Sequence, residues 1–313
     1  MSIIKKFLFI GFLVMVGCST PQLERPTEDA VPMSQEANRL VHAGIKFKES
    51  GDYDSALKKL LAAISENRNN VVAYYELSDT YLLMGDYENA QRFAEKGLKF
   101  KSDIYPRIAI NASKCYRQAN DFNKSIKVLS FAIEDNEDIY DLYIERSISY
   151  KMALEYDSAS YDLKSYIKLN PLDQEGHVKL ADLYKYKLEF SKALTIYYFA
   201  LMLNPNTDDS KRIIENLRFL IDESLIKKKP NEIDFELDII GASKIKIEEN
   251  LNSDDMPKLY KEFYKSLMKE SFFEEFMYFI HTNSNYPGVK AWIVENEENL
   301  QPFYDWVNKY NYY

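Results

Sequence analysis

A metal centre or a nucleophile in this chain would have to draw on three histidines, His42, His177 and His281, and two cysteines, Cys18 and Cys115. Their spacing builds neither. A zinc site needs ligands at short fixed intervals, as in HExxH or paired CxxC, and neither pattern occurs. There is no GxSxG nucleophile turn and no glycine-rich phosphate loop. The acidic pairs Glu274-Glu275 and Glu297-Glu298 are adjacent, so the two carboxylates of a pair do not share a helix face; they read as solvated surface. His177 falls at a core position of an amphipathic helix. Cys115 stands beside a core tyrosine, Tyr116, where a cysteine behaves as a small buried hydrophobe. The sequence therefore predicts no catalytic residue, no metal ligand and no cofactor, and the expected protein is not an enzyme.

Cys18 is different, because of what precedes it. Lys5 and Lys6 form a charged start, and Phe7–Val16 is an apolar run too short to cross a bilayer. The run ends in Met15-Val16-Gly17-Cys18-Ser19, which resembles a lipobox. That resemblance implies a lipoprotein signal peptide over 1–17, cleavage before Cys18 and lipidation of its thiol. Ser19 replaces the aspartate of an inner-membrane retention signal, so the resemblance favours the outer membrane of a Gram-negative envelope and leaves the exposed face open. Residues 18–34 are polar, carry Pro21, Pro26 and Pro32, and read as a flexible tether. About 16 such residues would hold their ends on the order of 20–25 Å apart.

The elements behind this leader are set by one recurring stretch. Gly51-Asp52-Tyr53-Asp54-Ser55-Ala56 returns as Gly85-Asp86-Tyr87-Glu88-Asn89-Ala90 and Asn120-Asp121-Phe122-Asn123-Lys124-Ser125. It returns again as Leu154-Glu155-Tyr156-Asp157-Ser158-Ala159 and Leu188-Glu189-Phe190-Ser191-Lys192-Ala193, copies about 34 residues apart. Each copy reads as the turn of a helix hairpin, with its aromatic expected to wedge between the helices. Before each turn stand a small residue and, three further on, an aromatic: Gly44 and Phe47, Ser78 and Tyr81, Ser113 and Tyr116, Ser147 and Tyr150, Ala181 and Tyr184. Small residues recur on the second helix at Ala63, Gly97, Ala132 and Ala200. Tyr166 takes that place in the fourth unit, and Tyr105 reads as a one-residue insertion. Pro171 and Pro205 end the second helices of the last two units.

These positions resemble the tetratricopeptide-repeat family over roughly residues 37–207, in units 37–70, 71–104, 106–139, 140–173 and 174–207. The resemblance implies an all-α fold, a right-handed superhelical solenoid of about five helix hairpins whose first helices line a concave groove. Asp208-Asp209-Ser210 starts a further helix with an apolar stripe from Ile213 to Ile221, read as the solenoid's cap, so that the repeat domain extends over 35–229. Residues 230–313 read as a C-terminal helical bundle docked on the solenoid. Within it, Pro257 precedes one long helix bearing Leu259, Phe263, Leu267, Phe272, Phe276 and Phe279. Pro287 and Pro302 are expected to open two short helices.

A protein-binding surface follows from aligning the units. Lys48, Leu82, Arg117, Lys151 and Lys185 share one position, which in the family faces the groove. Four of these five are basic in a chain of net charge −9. Arg107 and Lys114 lie on one face of the third unit, and Tyr75 and Tyr186 are expected to face inward beside them. Lys48, Tyr75, Arg107, Lys114, Arg117, Lys151, Lys185 and Tyr186 thus make a candidate groove for a protein or peptide partner with an acidic segment. The acidic balance argues against nucleic acid and non-specific contact with anionic lipid, leaving the lipid anchor as the route to a membrane. The expected function is a membrane-tethered scaffold in envelope or outer-membrane complex assembly. The alternative is a carbohydrate-binding lipoprotein of a nutrient-uptake system.

Overall fold

The computed structural model describes residues 23–205, 208–224, 239–282 and 288–310. Cys18, the signal peptide and Pro287 lie outside the described residues. Five hairpins follow one another: α1 (Gln35–Glu49) with α2 (Tyr53–Glu66), α3 (Val71–Leu83) with α4 (Tyr87–Gly97), α5 (Tyr105–Gln118) with α6 (Phe122–Asp135), α7 (Tyr140–Met152) with α8 (Tyr156–Leu169), and α9 (Gln174–Tyr186) with α10 (Phe190–Leu203). The first helices α1, α3, α5 and α7 approach one another in sequence, whereas second helices pack chiefly on first helices, α10 meeting the C-terminal helices as well. The first helices therefore form the inner, concave face.

Every turn is built alike. One residue takes a left-handed conformation, at φ 80° in Gly51, 74° in Gly85, 58° in Asn120, 63° in Leu154 and 61° in Leu188. The next N–H then donates to the carbonyl of the first-helix aromatic: Asp52 to Phe47, Asp86 to Tyr81, Asp121 to Tyr116, Glu155 to Tyr150 and Glu189 to Tyr184. This closes the helix end as a Schellman motif does. In the first three units the aspartate also caps the second helix, accepting from the N–H of Ser55, Asn89 or Lys124. Glu155 and Glu189 make no such cap.

The deepest wedges are the first-helix aromatics of the third and fifth units; Phe47, Tyr81 and Tyr150 are half-buried, like most of the turn aromatics. Tyr116 and Tyr184 are fully buried, whereas Tyr87 is 40% exposed and Tyr53, Phe122, Tyr156 and Phe190 are half-buried. A turn aromatic opens the second helix, where only its inner edge reaches the neighbouring helix. Tyr166 is accommodated by a compensating glycine: a Cβ on Gly176 would come within 2.5 Å of the Tyr166 ring. The Tyr166 hydroxyl donates to Asp173 at 2.7 Å, the residue that caps α9.

Helix α10 is apolar all round and buried over Ala193–Met202, as a helix of such composition must be. It is enclosed by α9, α11 (Asp208–Ser224), α12 (Gly241–Leu251), α13 (Lys258–Lys269) and α14 (Phe273–Ile280). Ile213, Ile214, Leu217 and Leu220 of α11 are buried, as the cap requires. The C-terminal helices are bonded to the fifth unit at several points. The Tyr264 hydroxyl donates to the Thr195 carbonyl at 2.7 Å, and Asn250 Nδ2 donates to the Ser191 carbonyl and to Thr195 Oγ1, each at 2.8 Å. Asp255 joins Lys164 and Lys192, which hold its carboxyl down at about 2. The expected docking is thus present among the described residues.

Two expectations for this region are corrected. The long helix after Pro257 is two, broken at Ser271, whose φ is 63°, with Phe272 N–H bonded to the Leu267 carbonyl as in the repeat turns. Tyr264 and Phe276 stand where a repeat has small residues, so α13 and α14 diverge rather than pair. Pro302 lies inside α16 (Glu297–Lys309) rather than opening it, after the short α15 (Val289–Glu295).

The tether reading is also corrected in part. Residues 23–29 lie on the repeats, and β1 (Glu28–Asp29) runs parallel to β2 (Phe100–Lys101) in the loop after α4. The loop carrying β2 spans 98–104, longer than the junctions 67–70, 136–139 and 170–173, and Tyr105 opens α5 directly after it.

Candidate functional site

The aligned cations of the first helices do not form a free basic stripe. Lys48 Nζ donates to Glu76 Oε2 and Asp79 Oδ2 of the next unit, both at 2.6 Å. Burial opposes its charge, but the two carboxylates prevail and hold the ammonium above its usual range. Arg117 Nη2 donates to Glu145 Oε2 at 2.5 Å, and its Nη1 reaches the Glu145 carbonyl, Ser149 Oγ and Ser113 Oγ. Lys185 Nζ donates to Asn216 Oδ1 of α11 at 2.8 Å. These are bonds from each odd unit to the element that follows it. Their spacings recur: 28 residues for Lys48–Glu76 and Arg117–Glu145, 31 for Lys48–Asp79 and Lys185–Asn216. A search for a partner one period minus six or three residues downstream would have found them in the sequence.

The even units break the ladder. Leu82 stands in the second unit, and Lys151 of the fourth meets no acid: its Nζ lies 4.7 Å over the ring of the exposed Tyr186. Arg107 stacks at 4.5 Å on Tyr75 and donates to its hydroxyl at 2.9 Å. Tyr75 is itself buried, so of the two aromatics expected to line the groove only Tyr186 presents its ring to solvent. Lys114 is 44% exposed and only grazes Glu145, at 3.7 Å.

The open part of the groove is consequently a patch over the second to fourth units. There Leu82, Tyr87, Lys114, Arg117, Gln118 and Met152 line an open depression of about 390 Å³. Leu82 and Met152 supply apolar walls from two units, and Lys114 supplies an available ammonium from the unit between. Such a patch suits an apolar side chain flanked by a carboxylate.

Among the described residues, Cys115 and His177 are not placed for covalent chemistry. Cys115 is buried, and burial pushes its thiol up to about 12, far from a nucleophilic thiolate. His177 is buried between units and bundle. Its Nε2–H donates to the Pro171 carbonyl at 2.9 Å, so Nδ1 accepts from the Tyr260 hydroxyl at 2.7 Å. Burial pushes it down to about 4, which keeps it neutral. Among the described residues no three of His, Cys, Asp and Glu converge as metal ligands, and no helix is long and apolar enough to cross a membrane.

The profile of the tetratricopeptide repeat matches residues 48–105, which contain the second hairpin and the loop that follows it. These residues match the tetratricopeptide repeat, and the other hairpins repeat its turn and period. MamA from Desulfovibrio magneticus RS-1, residues 41 to the end, superposes with a TM-score of 0.51 at 15% identity, covering 56% of this chain and 99% of that one. YrrB, a tetratricopeptide protein described as having an unusual peptide-binding site, aligns with a TM-score of 0.49 at 16% identity, over 57% of this chain and 92% of its own. In sequence, the Hsp70-Hsp90 organizing protein of Triticum aestivum is 22% identical over 203 residues, 62% of this chain. The chain spans about a third of that relative's length, 33%. The same hairpin and turn recur in all five units, with α11 stacked on their end and the C-terminal helices wrapped around α10.

Proposed function

We propose that this chain is a non-catalytic scaffold whose tetratricopeptide groove binds an extended segment of a protein partner. The observation that carries the reading is the open depression over the second to fourth units. There Lys114 stays exposed between Leu82 and Met152 while Lys48, Arg117 and Lys185 are held by bonds to neighbouring elements. The complementary ligand has an apolar anchor beside a carboxylate, narrower than the broad acidic segment implied by four aligned cations. Tetratricopeptide proteins act as interaction scaffolds, and the lipobox-like Val16-Gly17-Cys18 supports our reading of a bacterial envelope protein anchored by a lipid at Cys18. Assembly of an outer-membrane complex is the role we assign.

The test is affinity purification from cross-linked cells with the wild-type chain and with Lys114→Glu/Met152→Glu. Both side chains are exposed, so urea melting of the double variant stays close to wild type. Loss of one co-purifying protein, with melting unchanged, supports the groove. Unchanged recovery in low salt moves the interface elsewhere on the protein.

A further inference from the structure

The segment following the leader is fastened to the repeats, and the fastening is specific. Thr27 N–H and Glu28 N–H both donate to the Lys99 carbonyl, at 3.1 and 3.0 Å. Glu28 sits opposite Phe100 and Asp29 opposite Lys101, whose side chains approach at 3.5 Å. Arg25 stacks at 5.1 Å on Phe131 of α6 and pairs with Glu134 and Asp135 at the end of that helix. Leu23 packs against the apolar cluster of the second and third units. Pro26 has its ring φ fixed and drives Arg25 toward extended backbone, so part of the ordering entropy is already spent in the unfolded chain.

The hydrogen-bonded and charged partners lie on α6 and in the loop carrying β2. None of these is a first-helix residue, and the groove is formed by first helices. Five residue steps lead from Cys18 to Leu23, a reach of at most about 18 Å. The geometry points to a mounting strap: residues 23–29 clamp the chain that follows Cys18 to the outer flank of the second and third units. A lipid at Cys18 then holds that flank to the bilayer and leaves the groove facing away from it. This rests on the anchoring reading above for its membrane half, but not for the strap itself.

The strap is tested in the full chain by the pair Asp29→Cys/Lys101→Cys, whose positions are in register across β1 and β2. Cys115 is buried and does not compete. Mild oxidation should cross-link this pair rapidly. Adding Arg25→Glu and Thr27→Pro, which removes the ion pairs and one of the two N–H donors, should slow cross-linking about tenfold. A rate no faster than for a control pair with its second cysteine at Lys244 on α12 overturns the strap. Orientation is read by energy transfer from a label at Lys127→Cys, beside the strap, or at Lys151→Cys, in the groove, to a dye in native membranes. Severalfold greater transfer from position 127 is expected, and equal or greater transfer from position 151 overturns the mounting. Cys18→Ala separates the two readings. If that variant still sediments with membranes, the anchor assignment fails, while the cross-linking rate continues to judge the strap alone.

Discussion

Arg117→Glu should cost the solenoid substantial stability, although an aligned groove cation would ordinarily tolerate reversal. Arg117 joins the third unit to the fourth through Glu145 Oε2 at 2.5 Å, the Glu145 carbonyl at 3.2 Å and Ser149 Oγ at 3.3 Å. The side chains of Arg117 and Glu145 are only 11% and 15% exposed. Breaking one partner of a buried, hydrogen-bonded ion pair costs about 3–5 kcal/mol. Residual solvent access at both groups screens part of this, giving about 2–4 kcal/mol. Reversal also sets a second carboxylate against Glu145, with only Lys114 at 3.7 Å to offset it. With a urea m-value of about 2–3 kcal/mol/M, the midpoint should fall by about 1 M. A double-mutant cycle of Arg117→Ala with Glu145→Ala isolates the pair and should show coupling of about 1–3 kcal/mol. Lys151→Glu is the internal control: its ammonium lies over the exposed Tyr186 ring and meets no acid, so its midpoint should move little. Equal, small effects of Arg117→Glu and Lys151→Glu would refute the ladder as a structural device and return Arg117 to the pool of ligand-binding cations.

Four further outcomes are expected. Tyr116→Ala should cost about 3–5 kcal/mol in urea melts, whereas Tyr87→Ala, at 40% exposure, should cost about 1 kcal/mol; equal losses would contradict the assignment of the wedge to the first helix. Leu188→Asn should stabilise by about 1 kcal/mol, because leucine at φ 61° and 73% exposure is strained in the left-handed region that asparagine tolerates; a lower melting midpoint would refute this. His177 has a folded pKa pushed down to about 4 from 6.5, so the unfolded chain binds more protons between those values. Its stabilising effect is present above pH 6.5 and falls by about 3 kcal/mol as pH drops to 4, and His177→Gln should flatten that part of the stability curve relative to wild type. Truncation after Lys229 should uncover α10 and lower solubility; an equally stable, soluble fragment would show that the C-terminal helices are an independent module.

The repeat period, the turn residues and the small packing positions were legible because each is a local requirement: a left-handed turn, a close helix approach, a proline stop. The site was less legible because its charges are settled across units. Lys48, Arg117, Lys151 and Lys185 are alike in position and local sequence, yet only Lys151 lacks a polar partner in the element that follows. Position within a repeat identifies a face but not the neighbour that neutralises it, and reading the face alone overstated the free positive charge. The strap was hidden for a similar reason. Proline-rich polar sequence reads as a tether, and only the lengthened loop at Lys99–Lys101 offers it backbone partners. The fourth and fifth turns show the same order of forces. Leu154 and Leu188 are poor left-handed residues, and Glu155 and Glu189 leave their helices without side-chain caps. These two units adjoin the C-terminal helices, where Tyr264, Asn250 and Asp255 bond to α8 and α10. Tertiary burial there offsets turn chemistry that the first three units supply locally. Loss of the C-terminal helices should therefore loosen the fourth and fifth turns first, while the second and third units, which carry both the strap and most of the open groove, retain turns with Gly85 or Asn120 and aspartate caps.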